Sequence, residues 1–182
     1  MHPTTILLAR HGETDWNRAR RVQGHADEPL NDAGRAQARE LAAVLAQEVF
    51  DAIYASDLSR AHETARIVAE HHGLAVTAVP DLRERHFGSW EGHTEIEILQ
   101  RFPDARPDDR GDGEASAEMA GRVVAALHRI AEAHPGGHVL AVAHGGPLRA
   151  VLLHCDADRD GPIGNCDVIR ITVDRGRIAH VG

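Results

Sequence analysis

Cysteines and long apolar runs are both scarce in this sequence. Its 182 residues include only two cysteines, Cys155 and Cys166, and no uncharged apolar stretch approaches the length of a membrane span. Two cysteines in a chain of this length are typical of buried thiols rather than of a disulfide framework. The first residues lack the basic segment and apolar stretch of a secretory signal peptide. We therefore expect a reducing, cytoplasmic location.

Excess positive charge is also missing, since the net charge at pH 7 is -8 with histidine neutral. Nucleic acids and anionic membranes require clustered lysine and arginine, so neither is expected as a partner. An anionic substrate would need arginines concentrated at one site against the overall sign of charge. The fourteen histidines form no His-Glu-x-x-His pattern and no Cys-x-x-Cys occurs. No metal site is therefore predicted.

Short apolar runs alternate along the chain with longer segments of helical periodicity. This alternation predicts an α/β fold, a three-layer α/β/α sandwich with a mostly parallel central sheet. No repeat, low-complexity tract or linker interrupts the pattern, so residues 1–182 are predicted to form a single domain. The predicted strands are 6–9, 52–55, 75–79, 139–143, 168–173 and 178–181, the last two forming a hairpin. The predicted helices are 32–48, one capped by Ser56 or Asp57 that ends near Glu70, 115 to about 133, and 147–154, with a polar loop at 102–114.

Polar residues follow four of the predicted strands at the point where each strand ends. In chain order they are Arg10 and His11, Arg60, Glu84, and His144. Ligands of such sheets bind beyond the carboxyl ends of the strands, so these five side chains are expected to converge. Taken singly, His11 could be a turn residue, Arg60 a solvated surface charge and Glu84 part of a polar loop. Their shared position at strand ends favours a common site.

The residue types at these strand ends are those that phosphoryl transfer needs. The planar guanidinium of arginine forms paired, charge-assisted hydrogen bonds with phosphate oxygens. A helix that starts after Gly145-Gly146 offers free backbone N–H groups to an anion. A neutral imidazole can attack phosphorus and hold the phosphoryl group covalently, while a carboxyl group can give a proton to the leaving oxygen.

At these positions the chain resembles the histidine phosphatase superfamily, also called the phosphoglycerate mutase-like family, over nearly its whole length. The most specific element is the opening motif, which is followed by three further motifs in the family's order and spacing. The opening motif covers Leu8 to Asn17 and continues with Gln23-Gly24, Asp27, Pro29-Leu30, Gly34 and Gln37-Ala38. The later motifs are Ser56 to Ala61 with Thr64-Ala65, then Leu82, Glu84, Phe87-Gly88 and Trp90 to Gly92, and finally Ala143 to Gly146.

The resemblance implies a role for each matched residue. His11 would be the nucleophile, and Glu84 the general acid and base. Arg10, Arg60 and His144 would hold the phosphoryl group.

The resemblance also implies a pocket lining and no metal or organic cofactor. The pocket would be lined by Asn17, Gln23, Gly24 and Gly145. Glu13 and Trp90 match motif positions taken to be mainly structural. Family members often carry Gly-Glu-Ser before the long helix, whereas here Gly113-Glu114 is followed by Ala115 and then Ser116. This departure puts in doubt a cap or substrate contact from that serine.

Three activities are compatible with these motifs. The favoured one is a phosphatase acting on small phosphate monoesters such as sugar phosphates, phosphoglycerate-type or α-ribazole phosphate-type substrates. The alternative is a phosphoglycerate mutase, which typically has a longer insert between the acid and the second histidine to enclose its substrate. The second alternative, a non-catalytic binding protein, usually lacks a catalytic residue, and none is missing here.

The sequence leaves the identity of the small phosphorylated substrate open. The loops 18–26 and 102–114 are expected to set it, although the mixed charges in the second loop indicate no preference. The oligomeric state is equally open. The final hairpin could place an edge strand at a homodimer contact.

Overall fold

The computed structural model describes residues 2–103, 112–157 and 161–181. The strands are β1 (Thr4–Arg10), β2 (Ala52–Ala55), β3 (Val76–Ala78), β4 (His138–Ala143), β5 (Val168–Asp174) and β6 (Arg177–Val181). The α-helices are α1 (Asp15–Arg18), α2 (Asp32–Leu45), α3 (Ser59–His72), α4 (Glu95–Arg101), α5 (Ser116–Ala133) and α6 (Gly145–His154). Short 3₁₀ turns cover Pro80–Leu82 and Gly88–Trp90.

All six strands form one sheet in the order β3-β2-β4-β1-β5-β6. The pairs β3/β2, β2/β4 and β4/β1 are parallel, whereas β5 pairs antiparallel with both β1 and β6. The mostly parallel sheet and the C-terminal hairpin are therefore confirmed. The two central strands β1 and β4 lie side by side and carry Arg10, His11 and His144 at their shared carboxyl edge.

The two faces of the sheet are covered by different helices, which produces the predicted three layers. Alternate residues of β1 and β4 enter opposite cores, as expected for strands buried on both faces. On one face Leu7 and Leu140 pack with α2 and α3, and on the other Ile6 and Val139 pack with α5 and α6. No helix in the described parts of the chain combines the length and apolarity needed to cross a membrane.

Two predicted helix starts differ from the structure. Helix α3 begins at Ser59 after Leu58, with no side-chain cap, whereas Ser56 or Asp57 was expected to cap it. Helix α6 begins at Gly145, two residues before Pro147, with His144 at its N-cap. The hydroxyl of Ser56 lies 2.9 Å from Nε2 of His144 instead of capping α3. Helix α4 was not predicted, and most of the expected loop 102–114 lies outside the described residues.

Candidate active site

His11 is the first residue after β1 and its imidazole is buried, with 3% exposure. Its Nδ1 lies 2.6 Å from the carbonyl oxygen of Gly12. A carbonyl oxygen can only accept, so Nδ1 carries the proton and Nε2 keeps its lone pair. Burial lowers the pKa of His11 well below its usual value, and the charges of Arg60 and Arg10 lower it further. The ring is therefore neutral at physiological pH and presents a nucleophilic nitrogen.

His144 follows β4 directly and is fully buried. Its Nε2 lies 2.9 Å from Ser56 Oγ, which also accepts the backbone N–H of Leu58 at 3.3 Å. The serine hydroxyl has its proton available for Nε2, and where it donates, the imidazole proton lies on Nδ1. That Nδ1 is buried and has no partner among the described residues. The two imidazoles pack edge to face with their centroids 5.0 Å apart.

Burial also lowers the pKa of His144 well below its usual value, and Arg60 and His11 add to this effect. Both imidazoles of the pair are consequently neutral. The positive charge of the site comes from its guanidinium groups rather than from histidine.

Arg60 is the most deeply buried cation, with no exposed surface, in the first turn of α3. Its two terminal nitrogens donate to the carbonyl oxygens of Ala26 and Gly24, each at 2.8 Å. Burial lowers the pKa of Arg60 to about 10, and the nearby charge of Glu84 opposes the shift. The group stays protonated at neutral pH. Its Nε has no partner among the described atoms.

Arg10 ends β1 and places a second guanidinium next to the histidines. One terminal nitrogen donates to the carbonyl oxygen of Ile163 at 2.5 Å, and its buried Nε has no partner in the described chain. Burial lowers its pKa, while the charge of Glu84 opposes that shift. A buried guanidinium with unused donors is poised to bind an anion.

Glu84 supplies the carboxylate of the site from the loop after β3. Its two oxygens accept the backbone N–H groups of Arg85 at 2.8 Å and of Gly146 at 3.0 Å. A Cβ on Gly146 would lie only 2.0 Å from Glu84 Oε1, so glycine allows this close approach. Gly145 opens α6 beside Arg10, where an added Cβ would be 3.7 Å from Nε. The helix N-terminus therefore faces the same space as the two guanidinium groups.

The structure thus brings together all five residues predicted to be catalytic, at one edge of the sheet. Asn17, Gln23 and Gly24 lie next to them and make contacts within the protein. Asn17 Oδ1 accepts the backbone N–H of Thr14 at 3.1 Å, and Gln23 Oε1 accepts the hydroxyl of Thr14 at 2.9 Å. Gly24 adopts a left-handed φ of 54° and offers its carbonyl to Arg60. Their contact with a substrate stays a prediction.

Several supporting residues were missed by sequence reasoning. Asn165, in the loop before β5, donates from Nδ2 to the carbonyl oxygen of His11 at 2.9 Å. Thr64 accepts the backbone N–H of Gly12 at 3.1 Å and donates to the carbonyl of Arg60 at 2.7 Å. Thr64 lies in a quoted motif, but nothing in the sequence distinguishes Asn165 from an ordinary loop residue.

Arg122, in the middle of α5, is a further supporting residue that the sequence motifs did not single out. Its guanidinium donates to the carbonyl oxygens of Asp81, Arg83 and Glu84 at 2.8 to 2.9 Å. It also pairs with both carboxylate oxygens of Glu114, at 2.6 and 2.8 Å. One side chain therefore ties the loop that carries Glu84 to the long helix.

Ala115 stands where members of the family often carry a serine, and this changes the hydrogen bonds at the start of α5. Ala115 is the N-cap of α5 and provides no side-chain cap, while Glu118 accepts its backbone N–H at 3.0 Å. The hydroxyl of Ser116 accepts a hydrogen bond from Arg85 at 2.6 Å. The serine that the family motif would place at 115 is thus replaced by one that contacts the loop next to Glu84.

No group of three or more histidine, cysteine, aspartate or glutamate side chains with metal-binding geometry occurs among the described residues. The arrangement contains two guanidinium groups, two neutral imidazoles, one carboxylate and a helix N-terminus. It is suited to hold a dianionic phosphoryl group against a nucleophilic nitrogen, with a carboxyl group close by for proton transfer.

A model of the histidine phosphatase superfamily (branch 1) matches residues 6–181. The chain belongs to this superfamily. This chain is 41% identical over 157 residues to phosphoglycerate mutase-like protein 4 of Arabidopsis thaliana, and the match covers 80% of this chain and 68% of that protein. It is 40% identical over 177 residues to the metal-independent phosphoserine phosphatase of the same plant, covering 91% of this chain and 74% of the relative.

A solved structure agrees with the observed fold. The mycobacterial glucosyl-3-phosphoglycerate phosphatase Rv2419c in complex with VO3 superposes with a TM-score of 0.85 at 30% identity. The match covers 97% of this histidine phosphatase chain and 96% of the mycobacterial one. The relatives thus include proteins named as phosphatases and proteins named as phosphoglycerate mutases or mutase-like.

Proposed function

We propose that this chain is a phosphatase that hydrolyses small phosphate monoesters through a covalent phosphohistidine on His11. One observation carries the proposal. The Nδ1 proton of His11 is committed to the Gly12 carbonyl at 2.6 Å, so a buried, neutral Nε2 faces a space bordered by two guanidinium groups. Membership of a superfamily with phosphatase-named relatives supports hydrolysis as the reaction.

In the first step the phosphoryl group binds to Arg10, Arg60, His144 and the backbone N–H of Gly145 at the start of α6. His11 Nε2 attacks phosphorus and forms an N–P bond as the bond to the ester oxygen breaks. The protonated carboxyl of Glu84 gives its proton to that leaving oxygen. The alcohol departs, and Glu84 remains as a carboxylate. The fixed positive charges stabilise the charge that develops on the phosphoryl oxygens.

In the second step a water molecule replaces the alcohol. The Glu84 carboxylate takes a proton from the water. The water oxygen attacks phosphorus at the same time, and the N–P bond breaks. Inorganic phosphate leaves, and His11 and Glu84 return to their starting states. Neither step calls on a metal or organic cofactor.

The substrate class follows from the same site and from the relatives. Sugar phosphates, phosphoglycerate-type and α-ribazole phosphate-type esters remain the candidates, with Asn17, Gln23, Gly24 and Gly145 as proposed pocket residues. The mutase alternative is disfavoured because the stretch between Glu84 and His144 is shorter than the insert that mutases typically use to enclose their substrate. The non-catalytic alternative is disfavoured because all five residues are present in one site.

The test is an assay of phosphate release from a panel of small monoesters, with and without a chelator. 3-Phosphoglycerate is included, and its conversion to 2-phosphoglycerate is measured in parallel. We expect free phosphate from at least one ester, no effect of the chelator, and no release by His11→Ala. Isomer formation without phosphate release would favour the mutase, and strict metal dependence would contradict the mechanism.

Three broader proposals accompany this function. Residues 1–182 form a single histidine phosphatase domain, which is supported by the extent of the family match. The cytoplasm is the proposed location, since Cys155 and Cys166 are both free thiols. A homodimer could form through β6, which lies at one edge of the sheet. Light scattering on the purified protein tests the last point, because a monomer mass at assay concentration would contradict it.

A further inference from the structure

A cavity of about 590 Å³ opens beside the proposed general acid, between the first turns of α5 and the outer side of α6. Glu84 and Gly146 line its inner end. The Gly146 N–H that holds the Glu84 carboxylate therefore belongs both to the proposed active site and to the wall of this cavity. The cavity shares these two residues with the site.

The geometry of the reaction fixes where the leaving alcohol lies relative to Glu84. In an in-line displacement the leaving oxygen points away from the attacking nitrogen, and the acid that protonates it lies next to it. If Glu84 is that acid, the leaving alcohol lies on the side of the carboxyl away from His11. The cavity borders Glu84 and is lined by none of the four other proposed catalytic residues, so it is a candidate for that space.

The lining of the cavity indicates what kind of alcohol it takes. Most of the lining is apolar, from Phe87, Met119, Ala117, Ala120, Ala150 and Leu153. Leu153 is 70% exposed, which leaves an apolar side chain at the rim for a ligand to cover.

The charged side chains of the cavity are almost all of one sign. The basic groups are Arg85, Arg149 and His154, and Glu84 is the only acidic residue in the described lining. Arg149 is exposed, makes one hydrogen bond of 3.1 Å to the carbonyl of Gly161 and forms no ion pair with the described residues. Its guanidinium thus has donors to spare for an anionic group on a ligand.

We propose that this cavity binds the leaving group, and that the preferred substrates are phosphate monoesters of an apolar alcohol that carries a second anionic group at its far end. The proposal rests on the proposed function, because it takes Glu84 as the acid. The apolar body lies against Phe87, Met119 and Leu153, and the anion is held by Arg149. This adds α5 and α6 to the loops 18–26 and 102–114, which were expected to set specificity.

The test uses phosphonates, whose C–P bond is not hydrolysed, so that binding is measured apart from turnover. Calorimetry on the wild-type protein compares methylphosphonate, benzylphosphonate and 4-carboxybenzylphosphonate. Burial of the phenyl ring should make benzylphosphonate bind about 10-fold more tightly than methylphosphonate. The carboxylate should add roughly a further 5-fold through Arg149.

Two exposed positions provide variants that are expected to fold. Leu153→Glu should weaken 4-carboxybenzylphosphonate binding at least about 5-fold by charge repulsion and leave methylphosphonate binding unchanged. Val44→Glu, a similar change at an exposed position of α2 on the other face of the sheet, is the matched control. Arg149→Gln should remove only the gain due to the carboxylate, and Arg66→Gln on α3 is its control.

Equal affinity for methylphosphonate and benzylphosphonate in the wild-type protein would overturn the proposal, whatever the variants do. An equal loss for all three ligands in Leu153→Glu would overturn it too. The function is judged separately by phosphate release from the monoester panel. A protein that binds the phosphonates in the expected order but releases no phosphate would retain the subsite and lose the hydrolytic mechanism.

Discussion

The two buried imidazoles make the stability of this protein depend on pH in a defined direction. His11 and His144 have pKa values well below their usual value because burial, and then Arg60, disfavour the charged form. In the unfolded chain both regain a pKa of about 6.5. Below that pH the unfolded state binds protons that the folded state does not, so stability falls as pH falls from about 6.5 towards the folded-state pKa values.

The size of the effect follows from the unfolded-state pKa alone, as long as the folded-state values lie below the assay pH. Between about pH 7.5 and about pH 5.5 each histidine should remove about 1.4 kcal/mol from the free energy of unfolding, or about 2.7 kcal/mol for the pair. Carboxylates and exposed histidines also contribute, so the comparison is made with a variant that lacks the pair.

The assay is urea unfolding at both pH values in phosphate-free buffer. Between the two pH values the wild-type protein should lose about 2.7 kcal/mol more of its free energy of unfolding than His11→Asn/His144→Asn. Each single variant should lose about half as much in excess of the double variant. His71→Asn, a change at an exposed position of α3, controls for the removal of a histidine as such. Equal losses in the wild-type and double-variant proteins would refute the neutral, buried state of these rings.

Three further predictions concern the loop of Glu84, a helix contact and a thiol. Arg122→Ala should lower kcat roughly 10- to 100-fold with little change in KM, because the loop carrying Glu84 loses its anchor. Gly34→Ala should lower the unfolding free energy by about 1–3 kcal/mol, since its Cβ would lie 2.0 Å from the carbonyl oxygen of Glu13. Cys166 should react slowly with iodoacetamide at about pH 8, because burial raises the pKa of its thiol to about 12.

A specific result would contradict each of these three predictions. Steady-state kinetics in which Arg122→Ala changes KM but not kcat would show that the loop is not positioned by this side chain. Gly121→Ala on α5, where an added Cβ meets nothing within 4 Å, should be neutral or stabilising, and an equal loss there would remove the steric argument for Gly34. Rapid alkylation of Cys166 in the folded protein, identified by peptide mass, would contradict its burial.

Much of the catalytic arrangement could be predicted from the sequence, because parallel strands bring their carboxyl ends to one edge. Arg10, His11 and His144 each follow an apolar run directly, so their convergence needs only the strand order. The roles of Arg122 and Asn165 could not be predicted in this way. Both act by donating to backbone carbonyl groups of distant loops, and such contacts depend on how the loops pack rather than on a local pattern.

The exact first residues of α3 and α6 could not be predicted from the local sequence either. Ser56 is a favoured capping type, but its hydroxyl is used at 2.9 Å by His144 Nε2, and α3 begins three residues later without a side-chain cap. Pro147 lies at the third position of α6, still within the first turn, where its missing N–H costs no helical hydrogen bond. Only at Ser56 do the requirements of the site override the local propensity.

The most direct test of the central claim is rapid chemical quenching during turnover, followed by peptide mass analysis under alkaline conditions that preserve phosphohistidine. The substrate is the monoester that releases phosphate fastest. We expect a phosphoryl group on the peptide that contains His11, formed at least as fast as phosphate is released and absent from His11→Asn. Turnover with no phosphorylated protein, or with the phosphoryl group on another residue, would contradict it.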